Sequence, residues 1–298
     1  MDFFTTLVNG LSLGGIYAMI ALGYTMVYGI AKMLNFAHGD VIMVGSYVIV
    51  LFSPLVTVTG SNVYLSLIAT VLVAIVFCMA LGIVIEKFAY KPLRGASPLA
   101  VLITAIGVSY LLQSLVQMKE GSAPKIFTPP ALGNLKIGFL SMSYYTVITL
   151  ACSIVVMVAL SLFVKFSKTG RAMVAVSEDK GAAQLMGINV NRIIMITFAI
   201  GSALAALAGF FYLIKANSTT PTFGSLPGII AFSAAVIGGI GSIPGAMLGG
   251  ILLGVIETFA DAIPVLSPYK YAIEFSILII LLLVKPSGLL GKLRREKV

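Results

Sequence analysis

The chain has 298 residues, of which 59% are hydrophobic and 10% are charged, and its formal net charge is +9. A soluble domain is about 45–50% apolar with about a quarter of its residues charged, so a water-soluble fold would lack polar side chains to cover its surface. Apolar segments near or above about 18 residues recur along the chain. The composition therefore predicts an all-α, polytopic membrane protein.

The same composition argues against several kinds of site and partner. The cations lie between apolar runs and at the C-terminus, where membrane orientation explains them, so lipid and not nucleic acid is the expected partner. One histidine, His38, cannot build a multi-histidine metal site, and Cys78 and Cys152 are interpreted as small buried hydrophobes. Without a GxxxxGK[ST] loop the chain is not expected to hold nucleotide phosphates in the P-loop manner. We expect no metal and no cofactor.

Nine apolar segments are predicted to cross the membrane within a single domain over residues 1–298. In chain order they are 7–31, 41–57, 63–85, 99–117, 143–165, 193–214, 227–241, 244–262 and 271–285. Most of the 19 lysines and arginines then share a side with the C-terminal tail KLRREKV, which the positive-inside rule assigns to the cytoplasm. Two segments are weak, because 41–57 runs into Pro54 and 227–241 ends in glycines. If one is re-entrant, eight spans remain and the N-terminus moves from outside to inside.

A polar interruption lies between the first two apolar segments, at residues 32–40. Asn35, His38 and Asp40 could lie at a helix break and face a cavity, or they could belong to an ordinary solvated loop at the interface. Charged residues also occur near the outer ends of the last two segments: Glu257, Asp261, Lys270 and Glu274. We expect these at the interface, because a buried charge pair would carry a desolvation penalty.

The connector 166–192 is the longest stretch assigned to the cytoplasm. Ser177 is a candidate N-cap, with Glu178 and Asp179 in the first turn of a short helix, and Gly187 is a plausible stop. The helix would carry an apolar stripe and a small-residue face; the stripe is Ala182, Leu185 and Met186, and the face is Gly181, Ala182 and Ala183. Such a helix could pack along its own chain or dock closely against another surface.

Glycines recur at intervals of four near the C-terminal end. Gly241, Gly245 and Gly249 would lie near one helix face, as in small-xxx-small packing, where helix backbones approach closely. This spacing predicts tight helix association and says nothing about a substrate.

Taken together, these segments resemble the permease of branched-chain amino-acid ABC importers, the LivH-type family. The match lies in stretches 10–47, 91–113, 170–190 and 231–257, in family order. The motif NFAHGD, followed by Gly45, is similar to the family's NFAxGE pattern, with Asp40 at the position where the family more often has glutamate. The resemblance implies an ABC importer permease fold of about eight or nine spans and no enzymatic activity in this chain.

The resemblance also implies partners and site residues. The loop 166–192 resembles the family's EAA-type coupling loop, which docks into a cytoplasmic ATP-binding subunit; the contact residues would be Glu178, Ala182, Ala183 and Gly187. Val174 departs from the family, where relatives often carry Arg. The expected assembly has two ATP-binding subunits, a second related permease chain and an extracytoplasmic solute-binding protein, in a bacterial inner membrane.

The implied mechanism is alternating access, driven by nucleotide on the partner chains. A translocation path would be sought first at the two breaks, at Asn35, His38 and Asp40 and at Gly239 and Gly241. Three alternatives stay open: a permease of the same type for urea or short amides, an autonomous secondary transporter or channel, and a membrane-embedded enzyme. The last two would need ionisable or nucleophilic groups within the bilayer that the sequence does not supply.

Overall fold

A computed structural model describes residues 3–57, 62–137 and 140–291 of the chain. The tail KLRREKV, which the sequence assigns to the cytoplasm, lies outside the described residues. The described part is mostly helical, with eleven α-helices and two sheets of two short strands each. The helices are α1 Phe3–Ala31, α2 His38–Thr57, α3 Val63–Ile85, α4 Pro98–Glu120, α5 Tyr144–Phe166, α6 Lys168–Glu178, α7 Lys180–Leu185, α8 Val190–Ala216, α9 Ser225–Gly238, α10 Ile243–Ala262 and α11 Lys270–Val284.

The strands connect or flank the helices. Strand β1, Lys125–Ile126, pairs antiparallel with β4, Ser218–Thr219, in the register Lys125 with Thr219. Strand β2, Asn134–Ile137, forms a hairpin with β3, Leu140–Ser143.

Each of the nine predicted spans corresponds to one apolar helix. Within the described ranges, seven helical segments are long and apolar enough to cross a membrane, and the last of them extends α11 back to Ser267. The apolar stretch His38–Pro54 of α2 and helix α9 are shorter. These two are the segments that Pro54 and the glycine run had marked as weak. The polytopic helical fold is therefore confirmed.

The described chain divides into two compact units. Unit 1 comprises the chain up to Gly29, Leu132–Leu162 and the chain from Ile230 onward, whereas unit 2 comprises Ile30–Ala131 and Phe163–Ile229. Each unit therefore combines segments that are distant in sequence. The single domain expected over residues 1–298 stays a prediction.

Small side chains let the helices of unit 2 approach closely. The buried residues of α3 recur mostly at every fourth position: Ser66, Thr70, Ala74, Cys78, Gly82 and Ile85. A Cβ atom on Gly45 of α2 would lie 3.1 Å from the Cα of Ala206 in α8. Intervals of four keep one face of a helix small, so α3 packs through this face and leaves large apolar side chains on the others.

In unit 1, α10 uses glycines on two faces. Gly245 and Gly249 lie against the backbone of α9, whereas Gly250 and Gly254 lie against α1. Gly241 does not share this helix: α10 begins at Ile243 after the N-cap Ser242, and Gly241 has a φ of 93° in the preceding loop. The expected face of three glycines is therefore wrong at Gly241, because the helix starts one residue after the Ser242 cap.

Unit 1 also buries two carboxyl groups that were expected at the interface. Glu257 is 6% exposed and Glu274 is 0% exposed. The hydroxyl of Tyr17 donates to Glu257 Oε2 at 2.6 Å, and Lys270 Nζ lies 3.4 Å from Glu257 Oε1. Both carboxyl groups are therefore buried within unit 1, and for Glu257 the contacts from α1 and α11 offset the cost of burying its charge. The placement of Glu257 and Glu274 at the membrane interface stays a prediction.

Candidate functional site

The connector between α5 and α8 forms two short helices, α6 and α7, which meet at Asp179. The backbone of Asp179 is extended, and its carboxylate accepts hydrogen bonds from the N–H groups of Gly181 at 2.7 Å and Ala182 at 3.0 Å. Ser177 instead donates to the carbonyl of Val174 at 2.7 Å, and Glu178 is the last residue of α6. The predicted N-cap at Ser177 is therefore wrong. The acidic side chain two residues later caps the helix, because the chain turns there.

The end of α7 follows the sequence pattern. Gly187 has a φ of 80°, and its N–H donates to the carbonyl of Gln184 at 2.9 Å. The N–H of Ile188 reaches back to the carbonyl of Ala183 at 3.0 Å. These bonds close the last turn around a left-handed residue, which glycine adopts without a steric cost.

The apolar stripe of α7 points away from its own chain. Leu185 is 90% exposed and Met186 is 82% exposed, whereas Ala183 is 4% exposed. Ala182 is also exposed. Leu185 and Met186 therefore do not pack against the described part of the chain, whereas Ala183 faces the permease. An exposed apolar surface on a connector between two spanning helices fits a site for a partner protein.

Two basic side chains join this connector to the rest of unit 2. Lys180 Nζ donates to the carbonyl of Ala31, the last residue of α1, at 2.9 Å. The Arg94 guanidinium bonds to the side chains of Glu86 and Asn191. Burial, with a smaller contribution from the charge of Arg94, lowers the pKa of the Lys180 ammonium below its ordinary value.

Helix α1 ends at Ala31, and a non-helical segment separates it from α2. Lys32 has a φ of 59°, and Asn35 and His38 are both buried. Tyr90, in a π-helical turn after α3, donates through its hydroxyl to Asn35 Oδ1 at 2.9 Å. The interruption is therefore a buried and ordered break. The alternative of an ordinary solvated loop does not fit Asn35, His38 and Asp40, because all three are buried.

Asp40, in the first turn of α2, lies in a polar cluster that the sequence did not predict. Its Oδ1 atom accepts a hydrogen bond from Gln113 Nε2 at 2.8 Å. The same nitrogen lies 3.3 Å from Ser109 Oγ and 3.4 Å from Ser225 Oγ. Ser109 and Gln113 are four residues apart on α4, so a polar pair at helical spacing in an apolar span was the available signal.

The position of Gln113 along α4 gives the depth of this cluster. At 1.5 Å per residue, Gln113 lies about 22 Å from Pro98 and about 10 Å from Glu120, the two ends of α4. Because α4 is long and apolar enough to span a membrane, Asp40 and the start of α2 lie beside the interior of a helix of spanning length and not beside one of its ends.

The second glycine-rich break, at the end of α9, is covered by backbone within unit 1. Gly239 and Gly241 both have positive φ, at 106° and 93°. The N–H groups of Leu289 and Leu290 donate to the carbonyls of Ile237 and Gly238 at 2.8 and 2.9 Å. A Cβ atom on Gly239 would collide with the backbone of Gly291, so glycine is required there by a close backbone approach.

Among residues 3–57, 62–137 and 140–291, no three histidine, cysteine, aspartate or glutamate side chains lie together as a metal site would require.

Comparison with known proteins relates this arrangement to a transport family. The family model described as "Branched-chain amino acid transport system / permease component" matches residues 6–282. The chain belongs to this permease family. It is a transporter subunit and not itself an enzyme, and its apolar helices make it a multi-pass membrane protein.

Members of this permease family match the chain over nearly its whole length. BraD of Pseudomonas aeruginosa, a high-affinity branched-chain amino acid transport system permease protein, is 46% identical over 98% of this chain and 97% of its own. LivH of Escherichia coli K12, which has the same description, is 42% identical over 99% of this chain and 98% of its own. A probable LivH of Methanocaldococcus jannaschii is 29% identical over 92% and 88%. No solved structure matches the chain.

Proposed function

We propose that this permease carries branched-chain or other hydrophobic amino acids across a bacterial inner membrane by alternating access. The observation that carries the proposal is the near-complete alignment with BraD and LivH, whose descriptions name branched-chain amino acids and high affinity. A permease of the same type for urea or short amides is the alternative, because the sequence motifs do not separate these solutes.

The energy source is proposed to be ATP hydrolysis on two cytoplasmic ATP-binding subunits that receive α7. The support is the exposed apolar stripe at Leu185 and Met186, which stays uncovered by the residues that the structure describes. Ala182 lies on this exposed side, Ala183 anchors the helix, Gly187 ends it and Glu178 ends the helix before it. A short helix needs small side chains to enter a groove closely, and large exposed apolar side chains to gain affinity there.

The proposed topology places α7 and the C-terminus in the cytoplasm and the N-terminus outside. This requires nine crossings, with α2 and α9 counted although each is short. The positive-inside bias supports this orientation. A second, related permease chain and an extracytoplasmic solute-binding protein complete the proposed importer.

The proposed translocation path uses the break at Asn35, His38 and Asp40. Its support is the burial of Asp40 against the middle of α4, a helix of membrane-spanning length, because ionisable side chains inside a membrane are costly and usually functional. Gly239 and Gly241 are proposed for the second break. They would let the chain reverse there, and Gly239 lies beneath the 287–291 backbone.

Affinity purification of the tagged chain in mild detergent tests the assembly. Recovery of two ATP-binding subunits and a second permease is the expected result, followed by ATP-dependent leucine uptake in liposomes with the loaded binding protein. A lone or homo-oligomeric chain that moves solute without ATP would overturn the importer. If the assembled importer carries urea and not leucine, the proposed substrate is wrong but the proposed mechanism still holds.

A further inference from the structure

The carboxylate of Asp40 has only neutral hydrogen-bond partners. Gln113 donates to it at 2.8 Å, and Ser109 and the backbone N–H of Asp40 also hydrogen-bond to it. None of the salt bridges between residues in 3–57, 62–137 and 140–291 includes Asp40. A carboxylate that is 2% exposed beside a helix of membrane-spanning length is costly to keep charged without a positive partner. A cationic group brought into the cluster would stabilise the charged form of Asp40.

The cluster can be reached from the surface of unit 2. Gln113, Ser109 and Ser225 are half-buried, whereas Asp40 lies behind them. Gln113 bridges Asp40 and Ser225, since both oxygens lie within 3.4 Å of its amide nitrogen. Rotation of one amide side chain would therefore open the carboxylate to a small ligand.

Two helices begin at this cluster, which makes its backbone polar as well. α2 starts at His38 and α9 at Ser225, and a Cβ atom on Gly224 would collide with the carbonyl group of Gly39. Short helices that begin inside a membrane occur at the substrate sites of transporters, where their N-termini favour negative ligand groups. The Asp40 carboxylate is negative and the two helix N-termini are partly positive, so together they match the opposite charges of a zwitterion.

We propose that Asp40, with Gln113 and Ser225 around it, binds the ammonium group of the transported amino acid inside the span. An ammonium has three N–H donors, and Asp40, the Gln113 carbonyl and the Ser225 hydroxyl are acceptors. The inference rests on the proposed function, because it assigns ligand chemistry to one residue of the proposed path. It also separates the two candidate substrates, since urea has no ammonium group.

The charge of the site can be tested without transport. Ser225→Cys is made in a Cys152→Ala chain, and its modification by the cationic reagent 2-aminoethyl methanethiosulfonate is compared with that by neutral methyl methanethiosulfonate. The ratio of rates should fall at least about threefold when Asp40→Asn is added, because a nearby carboxylate attracts the cation. Ser177→Cys, a half-buried serine of the connector, is the control whose ratio should not change. An unchanged ratio at Ser225→Cys would overturn the proposal.

Transport by the complete importer in liposomes is the second test. Asp40→Asn should lower leucine uptake at least tenfold and Asp40→Glu should keep most of it. Gln113→Lys puts a tethered ammonium against Asp40 and should stop uptake, whereas the uncharged Gln113→Met should retain part of it. Normal uptake by an assembled Asp40→Asn or Gln113→Lys importer would overturn the proposal.

The two tests also separate this inference from the proposed function. A wild-type importer that carries no leucine would reject the proposed substrate, while the rate ratio at Ser225→Cys would still report whether Asp40 attracts an ammonium. If the importer carries leucine but the ratio of cationic to neutral modification rates at Ser225→Cys is the same with and without Asp40→Asn, only the Asp40 site is rejected.

Discussion

Leu185 and Met186 are large apolar side chains that the permease leaves almost fully exposed, at 90% and 82%. Full burial of a leucine or methionine side chain contributes about 1.5–3 kcal/mol. If α7 docks into an ATP-binding subunit, replacing both with serine should cost about 3 kcal/mol of binding free energy, taking the lower value for each. At about 1.4 kcal/mol per tenfold change, the affinity should fall on the order of 100-fold.

The assay is titration of the purified ATP-binding subunit onto the permease in nanodiscs, followed by ATP-driven leucine uptake. Because both side chains contact solvent in the isolated chain, the double variant should keep its thermal stability. Met118→Ser is the matched control: Met118 is 81% exposed but lies on α4, and its substitution should leave the affinity unchanged. A Leu185→Ser, Met186→Ser permease that binds the ATP-binding subunit within twofold of wild type would refute the docking surface.

Three further predictions concern single positions. Gly187→Ala should raise the cost of the left-handed turn by about 1 kcal/mol and weaken the coupling of ATP hydrolysis to uptake, whereas Gly187→Asn should restore it; equal coupling ratios in the two variants would contradict this. Gly245→Leu should prevent the close contact with α9 and lower recovery of folded chain, measured by size-exclusion chromatography, while Gly107→Leu, which has open space around it, should not; normal recovery of Gly245→Leu would mean that the helices can separate freely. Lys180→Met should lower the melting temperature by removing the bond to Ala31, and Lys180→Arg should keep most of it. Burial lowers the pKa of Lys180 in the folded chain, so at pH values between this pKa and the ordinary lysine pKa the unfolded chain binds more protons than the folded chain. The stability of wild type relative to Lys180→Met should therefore rise with pH in that range, and a stability difference that falls with pH would refute this.

The helices were predictable because membrane insertion is recorded locally in the sequence. Long apolar runs place every spanning helix within a few residues of its observed limits, and Pro54 and the run at 238–245 identify the two short ones. Local chemistry also identifies Gly187 as the end of α7. The cap of α7 was misplaced because Ser177 and Asp179 are both good caps, and only the path of the backbone selects between them.

The polar groups inside the span were not predictable in the same way. Asp40 and Gln113 are 73 positions apart, and Tyr17 and Glu257 are 240 apart, so no local pattern records either pair. Composition indicated that buried charge would be costly, which is correct for an isolated group. It could not show that Tyr17 and Lys270 would reach Glu257.

The sequence by itself therefore determined the class of protein, the number and limits of its apolar helices, and the family to which it belongs, because hydrophobicity and motif spacing act over short stretches. Tertiary structure alone decided that Leu185 and Met186 face outward and that Asp40 is buried beside Gln113 and Ser225. The reason is physical: exposure and ion pairing depend on which distant helices meet, and that is set by small residues such as Gly45 and Gly224 that let particular backbones touch.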